Sequence, residues 1–250
     1  MEDSDSLIDF YEDAYSSDGS DWTVYADWRT LSAVGKAAHV IELCERTGLE
    51  PAGTLDVGCG DGALMEEFHT RGFGGRLVGM EISGAAVKIA AAREAVDAAG
   101  TFDGVTLPMS DASFDLGVLS HVLEHTPDPP ALLAEVARVC RAVVFEVPLE
   151  ANRSARRPAK RAHAEEIGHL HRLDRSTARQ IALDAGLRPA AELADPLGLD
   201  VQRFFATTKA QRARATAKWA LRAGAHRAAP RLAERLFTVH YACLCLPGDG

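Results

Sequence analysis

The chain has 250 residues, 47% of them hydrophobic and 25% charged, with a formal net charge of −9. That composition suits a folded globular protein with a full core and excludes a disordered one. No run of roughly 18 apolar residues is available to span a membrane. The acidic start, residues 1–13, has neither the basic nor the apolar region of a secretory signal. Five cysteines, Cys44, Cys59, Cys140, Cys243 and Cys245, are scattered without a C-x-x-C pair. They read as reduced thiols of a cytoplasmic protein. The charge is unevenly spread. Residues 1–150 carry 9 basic and 27 acidic side chains, whereas residues 151–235 carry 18 basic and 8 acidic ones.

In chain order, residues 1–21 are rich in Asp and Ser, and Tyr11, Tyr15, Trp22, Tyr25 and Trp28 supply aromatic mass. Leu31, Val34, Ala38, Ile41 and Leu43 recur at helical spacing up to Thr47, where Gly48 and Pro51 end the helix. Residues 54–57 form a short apolar strand that runs into Gly58-Cys59-Gly60-Asp61-Gly62, and a helix comes next over 63–70. A second strand covers 76–80 and ends at Glu81. A Ser-capped, alanine-rich helix is expected over 83–99 and a weak third strand over 101–107.

A fourth strand is expected over 114–119, a helix over 129–140 and a fifth strand over 142–147. Residues 149–172 look irregular and basic. A capped helix over 174–185 and a sixth strand over 188–193 come next. Residues 200–236 read as helix interrupted near Gly224 and Pro230, and 237–246 as a final apolar strand. Strands alternating with helices predict a mainly parallel sheet covered on both faces.

A strand, a glycine-rich turn and a helix make a cofactor cradle. Glycine lets the backbone approach a ligand, and the helix start offers free N–H groups. Glu81, about 20 residues on, ends the second strand where an acid can bond ribose hydroxyls. On these features alone a NAD-dependent oxidoreductase competes, because Gly58-x-Gly60-x-x-Ala63 also fits the dinucleotide fingerprint. Asp56, two residues before Gly58, is placed to meet a cationic part of a cofactor.

The run Leu55-Asp56-Val57-Gly58-Cys59-Gly60-Asp61-Gly62 resembles motif I of class I S-adenosylmethionine-dependent methyltransferases. Leu107-Pro108-Met109-Ser110-Asp111-Ala112-Ser113-Phe114-Asp115 resembles a segment of their ubiquinone/menaquinone-type (methyltransferase type 11) branch. Ser120-His121-Val122-Leu123-Glu124-His125 resembles the stretch directly after strand four in that branch. Gly168-His169-Leu170-His171 and Ala185-Gly186-Leu187 resemble later parts, so the likeness covers roughly residues 50–190. It implies an α/β, Rossmann-like, doubly wound sheet of seven strands, mostly parallel with an antiparallel last strand. It implies S-adenosylmethionine as cofactor, with Asp56, Gly58 and Gly60 along its methionine part, Glu81 on the ribose and Asp103 near the adenine. Cys59, Ile82, Gly104 and Ser120 complete the expected cofactor set. A non-catalytic S-adenosylmethionine-binding protein is the reading from a different class.

His121-x-x-Glu124-His125 spells a zinc-peptidase pattern, but that chemistry needs both histidines on a regular helix. Here the pattern leaves a buried strand and meets Pro127, Pro129 and Pro130, so no metal site is expected. Methyl transfer to a hydroxyl needs a proton removed near neutral pH, which imidazole can do. His121, His169 and His171 are the candidate bases. The basic run Arg153, Arg156, Arg157, Lys160 and Arg161 suits an anionic acceptor. Basic stretches this poor in aromatic residues argue against nucleic acid. The expected organisation is a lid and helix over 1–48 and a methyltransferase domain over 49–250, with basic insertions near 149–172 and 200–236. The expected partner is a small, anionic acceptor, without integral membrane association and with homodimer formation allowed.

Overall fold

A computed structural model describes residues 8–9, 11–13, 15–16 and 20–248, and the backbone alone over 20–23. The start of the chain, with most of the expected acidic segment and the Trp22 side chain, lies outside the described residues. Seven strands form one sheet: β1 (Gly53–Val57), β2 (Arg76–Glu81), β3 (Ala98–Thr101), β4 (Phe114–Ser120), β5 (Cys140–Pro148), β6 (Leu187–Asp195) and β7 (His240–Pro247). Their order is β3-β2-β1-β4-β5-β7-β6. All neighbours are parallel except β7, which runs antiparallel to both β5 and β6.

Nine helices are described: α1 (Ser20–Thr47), α2 (Ala63–Thr70), α3 (Gly84–Ala91), α4 (Pro129–Val139), α5 (Pro158–Glu166), α6 (Arg175–Asp184), α7 (Leu199–Arg203), α8 (Lys209–Ala228) and α9 (Pro230–Leu236). β5 is buried along nearly its whole length, as a central parallel strand must be when helices cover both faces. One apolar layer joins Leu55, Val57, Leu119 and Phe145 to Leu133 and Val136 of α4 and Ile181 of α6. The opposite layer joins Leu116, Val118 and Val144 to Val40 and Leu43 of α1 and Phe68 of α2. β6 is the partly exposed edge, with a register shift between Pro189 and Ala191 where proline lacks an N–H for the ladder.

Several boundaries differ from the sequence reading. α1 begins at Ser20, and Ala33, Ala37, Val40 and Cys44 form its buried stripe while Val34 is 44% exposed. The helical period holds, and its buried face is shifted by one position. Ala37, Val40, Leu43 and Cys44 of this helix pack into one apolar layer of the core. The helix expected to Ala99 stops at Ala91, since Ala98–Thr101 pairs with Val78–Glu81 as β3. Asp97 fixes that entry by accepting from the Leu77 N–H at 2.7 Å. Tertiary pairing overrides alanine's helix preference here. The stretch read as irregular contains α5, which buries only Ala164 and so carries no apolar stripe to detect. α8 continues through Gly224, because one glycine in a helix costs only about 1 kcal/mol.

Candidate active site

The carboxyl ends of β1, β2, β4 and β5 and the start of β7 meet at one edge of the sheet. A cavity of about 1100 Å³ opens there. Open α/β sheets bind ligands at this edge, where helix starts and loop N–H groups converge.

On the β1–β2 side the turn after Val57 is held by backbone bonds from Gly58 and Cys59 to the Met80 carbonyl. Gly58 has φ +74°, and a Cβ there would lie 2.5 Å from Val122. Gly60 has φ +53°, and a Cβ there would lie 2.5 Å from the Tyr15 hydroxyl. Side chains are excluded at both points, so the backbone itself forms the wall. Glu81 is buried, and its carboxylate accepts from the N–H groups of Gly60 at 2.9 Å and Ile82 at 2.7 Å. It thus braces the glycine turn as well as lining the cavity. Burial pushes its carboxyl above the usual range, against those backbone donors.

Asp56 is 2% exposed and lines the cavity, and among the described residues its Oδ2 has no hydrogen-bond partner. Burial pushes its carboxyl up to about 7, although Lys36 pulls the other way. A buried carboxylate with a free oxygen facing a cavity fits a cationic ligand group. Ile8 borders the cavity on this side. Glu12 accepts from the Ser83 hydroxyl at 2.8 Å and from the Ala85 N–H at 3.1 Å, which ties it to the start of α3. Tyr11 and Tyr15 line the cavity, and Tyr11 meets His125 edge-on. Asp103 is exposed and accepts from Val105 and Thr106 in a tight turn, with Gly104 beside it on the cavity rim.

On the β4–β5–β7 side a wall of histidine and glutamate faces the cavity. Ser120 ends β4, and His121 comes next with a positive φ of 61°, unusual for a residue other than glycine. Nδ1 of His121 lies 2.9 Å from Glu124, and its Nε2 lies 3.0 Å from His240 Nδ1. Glu146 receives His240 at 3.1 Å on one oxygen and His39 of α1 at 3.1 Å on the other. Burial works against the charge of Glu124, but His121 beside it holds the carboxyl down at about 2. His169 pairs through Nδ1 with Glu150 at 2.8 Å, and His125 donates to the Gly168 carbonyl at 3.0 Å. Lys36, also on this wall, is pulled below the usual lysine range by burial.

The sequence-predicted site residues largely converge. Asp56, Gly58, Cys59, Gly60, Glu81, Ile82, Asp103, Gly104, Ser120, His121 and His169 all border the cavity. His171 does not border it. Its Nε2 donates to the Thr126 carbonyl at 2.8 Å, which fixes the loop instead. Of the basic run, Lys160 reaches the cavity, while Arg153, Arg156 and Arg157 line a separate pocket of about 400 Å³ with Leu236 and Phe237. Sequence reasoning missed Lys36, His39, Glu146 and His240. Glu146 and His240 had a readable signal, since each is a polar residue in a strand that is otherwise apolar.

This sheet order with its reversed β7, the glycine turn after β1 and the acid ending β2 agree with the fold that the sequence resemblance implies. Residues 55–143 match the family model described as a methyltransferase domain. It is 33% identical over 102 residues to the ubiquinone biosynthesis O-methyltransferase of Hahella chejuensis (strain KCTC 2396), covering 39% of this chain and 42% of that protein. It is 36% identical over 108 residues to an uncharacterized methyltransferase of Mycobacterium sp. (strain JLS), covering 42% of each. The matches thus span about two fifths of the length of these curated relatives. The crystal structure of geranyl diphosphate C-methyltransferase from Streptomyces coelicolor A3(2), in complex with Mg2+, geranyl diphosphate and S-adenosyl-L-homocysteine, covers 98% of both chains. Its TM-score is 0.64 at 15% identity, a likeness of fold. Among the described residues no helix is long and apolar enough to cross a membrane.

Proposed function

We propose that the protein transfers a methyl group from S-adenosylmethionine to a hydroxyl of a small anionic acceptor. The observation that carries this reading is the single cavity in which the glycine turn, the open carboxylate of Asp56 and the histidine wall face one another. Bound there, the cofactor supplies an electrophilic methyl group. Gly58, Cys59 and Gly60 give it a backbone wall, Asp56 answers its positive charge and Glu81 holds the ribose. Ile82, Asp103 and Gly104 border the adenine end. Tyr11 and Tyr15 close the site, so that residues 8–9, 11–13 and 15–16 serve as the lid.

The protein's contribution is alignment and exclusion of water, without a covalent enzyme intermediate. His169 is the favoured base, because it borders the cavity and Glu150 engages its Nδ1, which leaves Nε2 to take the proton. His121 is committed to Glu124 and His240, and His171 positions the loop. The acceptor's anionic group is placed at Lys160 and Arg222, which both border the cavity. Burial, and to a lesser degree the neighbouring Arg157 charge, lower the Arg222 guanidinium. Buried reduced thiols suit a cytoplasmic setting.

Calorimetry with S-adenosylmethionine, S-adenosylhomocysteine and NAD tests the cofactor. Isotopic methyl transfer into a metabolite extract tests the activity. Binding of both sulfur compounds and a labelled anionic product are expected. Tight NAD binding with no response to either sulfur compound would overturn the reading.

A further inference from the structure

We propose that His121, Glu146 and His240 form a binding site for one divalent transition-metal ion such as Zn2+, open to the acceptor side of the cavity. The three residues come from different strands and loops, and all border or back the cavity wall. Their facing atoms, His121 Nε2, His240 Nδ1 and Glu146 Oε1, are mutually separated by 3.0, 3.1 and 3.6 Å. Ligand atoms at about 2.0–2.2 Å from one ion, at tetrahedral or octahedral angles, lie roughly 2.8–3.6 Å apart. The triangle therefore already has the dimensions of one face of a coordination shell. Two imidazoles and one carboxylate suit Zn2+, Fe2+ or Co2+ rather than Mg2+ or Ca2+, which prefer oxygen.

Protons alone satisfy this junction poorly. Each ring nitrogen carries either one proton or one lone pair in the ring plane. A proton on His240 Nδ1 serves Glu146, and then His121 Nε2 must either share that proton or present a second one against it. A cation at the centre serves all three edges at once.

The surroundings are those of a metal site. His121 turns its other nitrogen toward Glu124, 2.9 Å away, so a carboxylate lies behind the ring as an ion-pair partner. Glu146 has its second oxygen held by His39 at 3.1 Å, leaving Oε1 for the ion. The positive φ of His121 aims the ring from a backbone conformation that nearly all other residues avoid. Lys36 is the competing cation. It acts electrostatically on Glu146 and Glu124, but among the described residues no hydrogen bond joins it to either. On the methyltransferase reading, on which this role rests, the ion would bind the acceptor's oxygen and lower its pKa.

The test is metal binding itself, on full-length protein stripped by chelator and titrated with Co2+, then challenged with Zn2+. One equivalent of Co2+ should bind with visible d–d absorption, and Zn2+ should displace it. His121→Asn keeps a residue that tolerates positive φ, and His240→Gln removes the second imidazole. Each should weaken Co2+ binding at least tenfold with an intact thermal transition. His169→Gln, in the neighbouring Glu124, His125 and His169 group, should leave Co2+ affinity within twofold. No stoichiometric binding by the wild type overturns the proposal. So does unchanged affinity in His121→Asn, or loss in His169→Gln alone. S-adenosylmethionine binding without metal binding refutes only the metal site. Metal binding without S-adenosylmethionine binding refutes only the methyltransferase reading.

Discussion

The β1–β2 side of the cavity and the β4–β5–β7 side are built by opposite means. The first is made of backbone: Gly58 and Gly60 at positive φ, with Glu81 bracing their N–H groups. Such a wall depends on local chain geometry, so it is written as a short contiguous motif. The second is made of side chains from α1, β5, β7 and two loops, brought together only by the sheet order. The first wall is local in sequence, while the second is assembled in space.

The largest expected effect tests the assembled side. His39, His121 and His240 all approach Glu146, which is 1% exposed. Removing one partner of a buried ionic group costs about 3–5 kcal/mol. Glu146→Ala should therefore lose stability on that scale in urea unfolding, whereas a change below about 1 kcal/mol would mean that the wall relaxes freely.

Asp56 sharpens the contrast on the glycine side. Its carboxyl titrates at 3.8 when unfolded and at about 7 when buried. Below about pH 4 both states are protonated and burial is not penalised. Between pH 4 and 7 the unfolded state ionises first, so stability falls, and above pH 7 the loss is complete. At about 1.4 kcal/mol per pKa unit the ceiling is ~4 kcal/mol. Asp56→Asn should be more stable than the wild type at pH 8 and equal to it near pH 4, while binding S-adenosylmethionine more weakly. Equal stability at both pH values would remove the argument from burial.

The legibility of each side obeys the same division. Asp56, Gly58, Gly60 and Glu81 could be read because one continuous strand–turn–helix–strand unit, from β1 to the end of β2, contains them. Their convergence on the cavity needed no long-range information. His121 and His169 were visible through motifs, but their partners Glu146, His240 and Glu150 are set by pairings such as Pro148 with His240 across β5 and β7. His171 belongs to the same loop motif as His169, yet one turn of backbone sends it to Thr126. The early end of α3 was hidden because alanines suit helix and edge strand alike when pairing decides.

Glu81→Ala addresses the brace in the glycine turn. It removes the acceptor for Gly60 and Ile82 and the expected ribose bonds. Hydrogen bonds to charged groups contribute about 1.5–3 kcal/mol each, so S-adenosylmethionine affinity should fall at least tenfold by calorimetry. An unchanged dissociation constant would place the ribose elsewhere.

A smaller effect is expected from the rim. Lys160→Gln with Arg222→Gln should raise the Michaelis constant of an anionic acceptor several-fold, flatten its salt dependence and spare S-adenosylmethionine affinity. Arg153→Gln with Arg156→Gln, in the separate pocket, should do neither. If the second pair matters more than the first, the acceptor approaches from the other side.

The most direct test is calorimetric titration of the wild type and Gly58→Val with S-adenosylmethionine, S-adenosylhomocysteine and NAD. A side chain at 58 would enter the space of Val122 and the cavity wall at a φ of +74°. The wild type should bind both sulfur compounds and not NAD, and the variant should lose at least tenfold in affinity for both. Binding of NAD alone, or sulfur-compound binding indifferent to a side chain at 58, would contradict the placement of a methyl donor under the glycine turn.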